Sequence, residues 1–317
     1  MTKILVSESS GFSPAVAQRL KGLGELKLSD LKRAELLREV REANVLWIRL
    51  RHTIDCEVLA AAPRLRAIVS PTTGVDHIDL GAARNQAVEV LSLRGYGEDL
   101  RDVRATVEHT VGLMLALLRH VPAAATHVRA GGWDRDLFWG QELHRKTVGI
   151  VGYGRLGRLV ARCLAAFDAS VLVTDRPGRA IADLEEGVEQ CSLDELLSRS
   201  DVVTLHASLD DSTRGLLGAR ELALMPSGSW LVNTARGALL AEDALLAALR
   251  DGHLGGAALD VLADEHGEGS RPLVDYARDN ANLLITPHIG GATIESRAKT
   301  EGMMAARLAE FLATERV

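Results

Sequence analysis

The stretch TVGIVGYGRLGRLVARCLAAFDASVLVTD, residues 147–175, decides the fold of this chain. It opens with an apolar run at 148–151, whose length suits a buried strand. Three glycines follow at once in G-x-G-x-x-G spacing, namely Gly152, Gly154 and Gly157. A helical pattern of apolar residues comes next, and a second apolar run at 171–173 leads to Asp175. The order of strand, glycine turn, helix, strand and acid predicts a βαβ unit.

The glycine spacing has a physical reason that points to a dinucleotide. The first glycine permits a tight turn from strand to helix, the second lets the backbone approach a pyrophosphate, and the third lets the helix pack on the strand. Unpaired N–H groups at the helix N-terminus face the phosphates. The turn residues predicted to bind the cofactor are Gly152, Gly154, Arg155, Leu156 and Gly157. A glycine turn in another kind of α/β domain is the alternative interpretation.

Asp175 predicts which dinucleotide is bound. It stands at the expected end of the second strand. A carboxylate at that place accepts hydrogen bonds from both ribose hydroxyls. The same negative charge repels the extra phosphate of NADP, so we expect the cofactor to be NAD.

The composition excludes several classes of protein. The chain has 317 residues, of which 47% are hydrophobic and 25% are charged, and its formal net charge is −6. The length predicts about two domains in a protein of ordinary globular composition. The negative charge argues against nucleic acid or an anionic membrane surface as a partner. Three isolated cysteines predict reduced thiols, with no disulfide framework and no metal site. No stretch has the length of a signal-peptide core or a membrane span, so we expect a cytoplasmic location.

The first hundred residues alternate short apolar runs with helical patterns. The predicted strands are 4–6, 26–28, 45–50, 67–69 and 88–91, and the predicted helices are 14–23, 30–42 and 56–62. We expect Ser13 and Asp30 to act as N-caps of the first two helices. Alternation of this kind predicts a parallel sheet with helices on both faces.

A second α/β series follows a loop at 94–102 and a long helix over 103–119 that continues to 129. The almost all-round apolarity of that helix predicts burial against a core and against a partner subunit. The strands predicted in the second series are 148–151, 171–174, 202–205, 230–233, 257–260 and 283–286, and a helix over 293–312 ends the chain. Two α/β units, one of which has the glycine turn, predict a ligand cleft at the domain boundary.

Arg236, Glu265 and His288 each follow a predicted strand of the second series. Because ligands in open α/β sheets lie outside the carboxyl ends of the strands, we expect these side chains to share one rim with the glycine turn. An Arg fork can hold a carboxylate and polarise an adjacent carbonyl. A His can deliver or remove an alcohol proton while a hydride moves, and a Glu beside it favours the imidazolium.

These motifs together resemble the D-2-hydroxyacid dehydrogenase family, which includes phosphoglycerate dehydrogenase, glycerate and hydroxypyruvate reductases and D-lactate dehydrogenase. The resemblance covers nearly the full length of the chain. It rests on TTGVDHID (72–79), ATVEHTVGLMLALLR (105–119), KTVGIVGYGRLG (146–157), LVNTARGALL (231–240), GGAALDV (255–261) and LLITPHIGGAT (283–293). Six motifs in one order are far more specific than any one of them.

The resemblance implies an α/β fold of two doubly wound parallel-sheet domains. One is a Rossmann NAD-binding domain at 103–290, and the other is a flavodoxin-like substrate domain, made of 1–102 and 291–317. The resemblance also implies a homodimer formed through the region 103–129.

The resemblance implies roles for individual residues as well. Arg236 would bind the substrate carboxylate and carbonyl, His288 would be the acid/base and Glu265 would orient it. The substrate carboxylate would also accept from the backbone N–H groups of Thr73, Gly74 and Val75. The further cofactor-binding residues are Thr110, His206, Thr234, Ala235 and Asp260, of which Asp260 would contact the nicotinamide carboxamide.

Arg49 and Arg51 stand at the strand end where phosphoglycerate dehydrogenases carry a phosphate-binding Arg. The local sequence IRLRHTI differs from the family's, because the usual Ser and Thr are replaced. The two arginines raise the hypothesis of a phosphorylated or otherwise anionic substrate.

The sequence therefore predicts an NAD-dependent oxidoreductase that transfers a hydride between the nicotinamide and a small D-2-hydroxy acid/2-keto acid pair. Candidate substrates are 3-phosphoglycerate and glycerate/hydroxypyruvate. Glu265 argues against formate, because formate dehydrogenases pair their His with Gln. A phosphite-type dehydrogenase and a nucleotide-sensing, corepressor-like binding protein are the alternatives.

Overall fold

The computed structural model describes residues 1–176, 180–265 and 269–314. The chain divides into two compact units, which we call unit 1 (Met1–Val103 with Ala292–Val317) and unit 2 (Arg104–Gly291). The strands are β1 (Lys3–Val6), β2 (Glu25–Leu28), β3 (Val45–Trp47), β4 (Ala67–Ser70), β5 (Glu89–Ser92), β6 (Thr147–Val151), β7 (Ser170–Thr174), β8 (Val188–Gln190), β9 (Val202–Leu205), β10 (Ser229–Asn233), β11 (Leu254–Leu259) and β12 (Leu283–Ile285).

The α-helices of the described residues are α1 (Pro14–Lys21), α2 (Arg33–Glu39), α3 (Cys56–Ala60), α4 (Leu80–Asn85), α5 (Ala105–Leu118), α6 (Val121–Arg129), α7 (Arg155–Ala165), α8 (Leu193–Arg199), α9 (Ala219–Leu224), α10 (Glu242–Arg250), α11 (Arg271–Asp279) and α12 (Ile294–Thr314). Strands and helices alternate along most of the chain, as the sequence predicts. The α/β fold class is thereby confirmed.

Unit 1 is built on a parallel sheet with the strand order β2-β1-β3-β4-β5. Its side chains alternate between two apolar cores. Val45 and Trp47 of β3 pack on one face, and Leu46 packs on the other. Helix α12 covers the Trp47 face through Met304 and Leu308. The last helix of the chain therefore belongs to the first unit.

Unit 2 is built on a longer parallel sheet, with the order β12-β11-β10-β9-β6-β7-β8. The order reverses between β6 and β9, which makes that place the topological switch point of the sheet. Along β6, Val148 and Ile150 face one core while Val151 faces the other. The carboxyl ends of all these strands meet at one edge, and the candidate site lies there.

The two predicted N-caps have different outcomes. The Ser13 side chain accepts from Val16 N, so this cap is confirmed. The prediction for Asp30 is wrong, because α2 begins at Arg33 and its N-cap position is Lys32. The Asp30 carboxylate accepts instead from Ser9, Ser10 and Arg51. Long-range partners therefore take the carboxylate from its local helix.

The predicted long helix of 103–129 is two helices, because the chain breaks between α5 and α6. His120 at the break has φ 51°, in the left-handed region. Strand β8 was not predicted, since its residues are at most half-buried and do not form an apolar run. Among the described residues, no single helix has the length and apolarity of a membrane span, although α5 and α6, bent by 65°, reach both when taken together.

Candidate active site

The glycine turn between β6 and α7 is built so closely that side chains are excluded at two of its positions. Gly152 has φ 98°, and a Cβ on it would lie 2.5 Å from Ala207 N. A Cβ on Gly157 would collide with the carbonyl oxygen of Gly152. The first glycine therefore fixes the turn against the loop that follows β9, and the third fixes it against its own helix.

Gly154 differs from the other two glycines because the space around it is open. It is the N-cap of α7, and outside its own chain neighbours no described heavy atom lies within 4 Å of a Cβ built there. Backbone N–H groups at this helix end can thus meet a ligand directly. Arg155 follows at the first helical position, where burial lowers the pKa of its guanidinium. A tight glycine turn with one open position and an adjacent cation fits the pyrophosphate of a dinucleotide.

Asp175 and His206 lie on the strand ends that flank the glycine turn. Asp175 directly follows β7, is half-buried and accepts from Arg176 N at 2.9 Å. His206 directly follows β9, and its backbone N donates to Val151 O at 2.7 Å. Burial lowers the pKa of His206 to about 4, so its imidazole is neutral at physiological pH. Its buried Nδ1 has no hydrogen-bond partner among the described residues.

The loop after β10 carries Arg236 in a fixed position. The buried side chain of Asn233 accepts from Ala235 N at 3.0 Å and donates to Arg236 O at 2.9 Å. A Cβ on Gly237 would collide with the backbone of Leu262 and Ala263. The Arg236 loop therefore packs directly on the loop that leads to Glu265.

Thr110 and Thr234 join α5 to the same loop. Their hydroxyl oxygens lie 2.8 Å apart, and Thr110 also donates to Thr106 O at 2.7 Å. Both side chains are buried, and Ala235 beside them is half-buried. Three of the residues predicted to bind the cofactor are thus brought to the carboxyl end of β10.

His288 and Glu265 form a hydrogen-bonded pair. His288 Nδ1 lies 2.8 Å and 2.9 Å from the two carboxylate oxygens of Glu265. Because a carboxylate only accepts, the proton sits on Nδ1, and Nε2 is left for proton exchange with a ligand. Both side chains keep about a quarter of their surface exposed, at 22% and 26%. The pair can therefore reach a substrate and still hold its orientation.

Asp260 holds the turn on which His288 stands. Three successive backbone N–H groups donate to this one residue: His288 N to its carbonyl oxygen at 2.8 Å, Ile289 N to Oδ1 at 2.9 Å and Gly290 N to Oδ2 at 2.7 Å. His288 has φ 52°, a left-handed conformation that costs free energy for a non-glycine residue. The three hydrogen bonds offset that cost.

Two residues at Asp260 were not predicted from the sequence. His109 on α5 and Thr286 after β12 both hydrogen-bond its buried carboxylate. Their positions in the sequence give a weak indication. His109 lies in the motif at 105–119, one residue before Thr110, and Thr286 lies in the motif at 283–293, two residues before His288. Nothing in those motifs shows that the two positions meet.

The predicted substrate residues of unit 1 occupy the ends of β3 and β4. Arg49 forms an ion pair with Glu301, which is only 1% exposed, and Arg51 pairs with Asp30 at 3.2 Å. Both positive charges are thus balanced by carboxylates. The loop of Thr73, Gly74 and Val75 is closed by Thr72 Oγ1, which donates to Gly74 O at 2.8 Å.

The glycine turn and the parallel sheet of unit 2 define a dinucleotide-binding protein of the Rossmann class. Residues 111–290 match the family model described as D-isomer specific 2-hydroxyacid dehydrogenase, NAD binding domain. The glyoxylate reductase of Thermofilum pendens is 36% identical over 288 residues, which cover 89% of this chain and 82% of that protein. The chain belongs to the D-isomer-specific 2-hydroxyacid dehydrogenase family, and unit 2 contains its NAD-binding domain.

Two further similarities extend this comparison. The D-3-phosphoglycerate dehydrogenase of Mycobacterium tuberculosis is 39% identical over 282 residues, which are 87% of this chain and 51% of that protein, so the chain spans about half its length. The D-lactate dehydrogenase of Aquifex aeolicus, in complex with NAD and lactic acid, matches with a TM-score of 0.86 and 28% identity over 99% of this chain and 96% of that chain. These relatives do not favour the phosphite or corepressor alternatives.

Asp175 gives a prediction about cofactor choice. Because its carboxylate would meet the 2′-phosphate of NADP as a like charge, we expect kcat/KM for NAD to exceed that for NADP by about tenfold or more. Asp175→Ala should lower the NAD-to-NADP ratio of kcat/KM, whereas Asp243→Ala, at an exposed site in α10, should leave that ratio unchanged. Steady-state kinetics with both cofactors measure the effect. Equal kcat/KM values in the unmodified protein would contradict the prediction.

Proposed function

We propose that this protein is an NAD-dependent dehydrogenase of small D-2-hydroxy acids, which also reduces the corresponding 2-keto acids. The observation that carries the proposal is the His288–Glu265 pair, held at the carboxyl edge of the same sheet that presents the glycine turn. The family relationship supports the same activity. Arg236, on the neighbouring strand end, completes the chemistry that this reaction requires.

Each of the three side chains has one task in the proposed reaction. The nicotinamide, when bound, supplies or takes up the hydride. Arg236 binds the substrate carboxylate and polarises the carbonyl oxygen, for which its planar fork is suited. His288 Nε2 gives a proton to that oxygen during reduction and takes it back during oxidation. Glu265 holds Nδ1–H and stabilises the imidazolium.

We propose that the substrate is an unphosphorylated acid, such as glycerate or glycolate (the product of glyoxylate reduction), rather than 3-phosphoglycerate. A phosphate-binding arginine needs a charge that is free for the ligand. Arg49 is instead paired with the buried Glu301, and Arg51 with Asp30. Separating a buried pair leaves a carboxylate uncompensated, which is costly. The Arg49–Glu301 pair therefore supports substrates whose only anionic group is the carboxylate, whereas the Arg51–Asp30 pair is exposed and carries no such cost.

A substrate panel tests the proposed activity. We expect NADH oxidation with at least one of hydroxypyruvate, glyoxylate, pyruvate and 2-ketoglutarate, and a lower kcat/KM with phosphohydroxypyruvate than with hydroxypyruvate. Absorbance at the NADH band follows the reaction. Tight NADH binding without turnover of any keto acid would contradict an enzyme and favour a nucleotide-sensing protein. A preference for the phosphorylated acid would contradict the substrate class alone.

Variants of His288 and Arg236 should differ in which kinetic constant they change. His288→Ala removes acid–base catalysis, so kcat should fall by about 10²-fold or more with little change in KM. Arg236→Ala removes charged hydrogen bonds to bound substrate and should raise KM about tenfold or more while also lowering kcat. His144→Ala, which breaks an exposed pair with Asp168, is the matched control. A near-normal kcat for His288→Ala, with a full isotope effect from deuterated NADH, would overturn the assignment.

We also propose a homodimer formed through the region 103–129 and the segment that follows it. All residues of α6 are described, and none of them is buried. Trp133 and Trp139 are 90% and 78% exposed. A cavity of about 920 Å³ also lies beside α6, but Glu265 and His288 line it together with Leu117 and Leu283, so it belongs to the candidate site. Exposed apolar surface such as that of the two tryptophans favours a second copy of the chain as the partner.

Replacement of the two tryptophans tests the dimer. We expect the unmodified protein to have twice the mass of one chain by light scattering, and Trp133→Ser/Trp139→Ser to shift it toward the monomer, because the interface loses its largest apolar side chains. Ile294→Ser, at an 86% exposed site in unit 1, should leave the mass unchanged. A monomeric unmodified protein would contradict the proposal.

The cysteines support a cytoplasmic location, which we include in the proposal. Cys56, Cys163 and Cys191 are all free thiols. Unpaired cysteines are typical of proteins in a reducing compartment.

A further inference from the structure

We propose that His109 and Thr286 are positioning residues for His288, and that they act through the buried carboxylate of Asp260. The inference rests on the proposed function, because it takes His288 as the acid/base. Its basis is a cluster of hydrogen bonds that joins α5 to the turn after β12. None of these contacts touches the imidazole of His288 itself.

The Asp260 carboxylate is surrounded by donors. It is only 2% exposed, so hydrogen bonds from the protein must replace those from water. Besides the amides of Ile289 and Gly290, it accepts from Thr286 Oγ1 at 2.6 Å and lies 3.1 Å from His109 Nε2. Three of these four donors meet at Oδ1, and the amide of Gly290 donates to Oδ2. The side chains of His109 and Thr286 supply half of them.

The positions of the protons follow from this arrangement. Thr286 has a single hydroxyl proton, and its short bond to Asp260 Oδ1 uses it. His109 Nε2 lies 3.1 Å from the Thr286 oxygen and 3.1 Å from Asp260 Oδ1, two groups that can then only accept. Nε2 therefore carries a proton that is shared between both oxygens. His109 is the donor that closes the cluster.

Close packing ties the same turn to α5. A Cβ on Gly290 would lie 2.9 Å from Asp260 Oδ2, 3.5 Å from Thr106 Cγ2 and 3.6 Å from His109 Cδ2. The backbone of the turn thus lies against the helix that carries His109. A change at His109 alters both the charge environment of Asp260 and the surface on which the turn rests.

These contacts explain how His288 keeps its strained conformation. Its left-handed backbone is held by amides that donate to Asp260, and Asp260 is held in turn by His109 and Thr286. If a donor is lost, a buried carboxylate is left undersatisfied, and it rotates or draws in water. The turn then relaxes, and Nδ1 of His288 leaves its place beside Glu265. Arg236 stands on a different loop, the one after β10, so we expect kcat to fall more than KM rises.

The first test compares two replacements of His109 by steady-state kinetics. His109→Leu removes the donor, whereas His109→Gln places an amide N–H near the position of Nε2. We expect His109→Leu to lower kcat about tenfold or more with KM for the keto acid changed less than about threefold, and His109→Gln to recover most of kcat. His253→Leu, which loses one histidine contact to Leu222 O elsewhere in unit 2, should keep the normal kcat. Equal kcat for His109→Leu and the unmodified protein, or equal losses in both His109 variants, would overturn the proposal.

The second test does not use activity. Amide hydrogen exchange at Ile289 and Gly290 should be about tenfold or more faster in His109→Leu, and near normal in His109→Gln, while exchange in β6 stays unchanged. If His109→Leu fails to fold, Thr286→Val takes its place and Thr286→Ser is its conservative partner. Unaltered exchange at both amides would overturn the positioning role. If the unmodified protein turns over no keto acid but the variants show the expected exchange pattern, the proposed function is wrong and the positioning role of His109 stands.

Discussion

The geometry of the candidate site depends on one buried carboxylate. Asp260 directly follows β11 and is buried, and three successive backbone N–H groups of the turn after β12 donate to it. A buried carboxylate without donors would be too costly to keep. A left-handed histidine without such support would relax. Each of the two unfavourable features is therefore stabilised by the other, and His288 is fixed by the result.

The parallel sheet makes this arrangement possible. Neighbouring strands β10, β11 and β12 deliver Arg236, Glu265 and His288 to one edge, although the three are far apart in sequence. Apolar side chains, mostly Val, Leu, Ile and Ala, fill both faces of the sheet. Loops at the strand ends are then free to carry chemistry. The rigid sheet and the hydrogen-bonded loops together give the precision that proton transfer needs.

Sequence reasoning succeeded where a local pattern has a local cause. The apolar runs predict most of the strands, and the glycine turn predicts its own conformation, because both depend on neighbouring residues. It failed where distant groups decide. Asp30 caps no helix because Arg51 and two serines bind it. The contact between His109 and Asp260 is hidden because the two residues are 151 positions apart in the sequence. Strand β8, at the edge of its sheet, lacks the burial that makes a strand visible in a sequence.

The close contact at Gly237 limits how the two loops that carry Arg236 and Glu265 can change shape. At that point the Arg236 loop and the loop leading to Glu265 touch with no room for a methyl group. The loop of Arg236, which we propose binds the acid, and the loop that leads to Glu265, which we propose orients His288, therefore cannot move independently of each other. A lineage that altered the shape of one loop would disturb the other. A change of substrate that reshapes either loop must therefore be accommodated by both loops together.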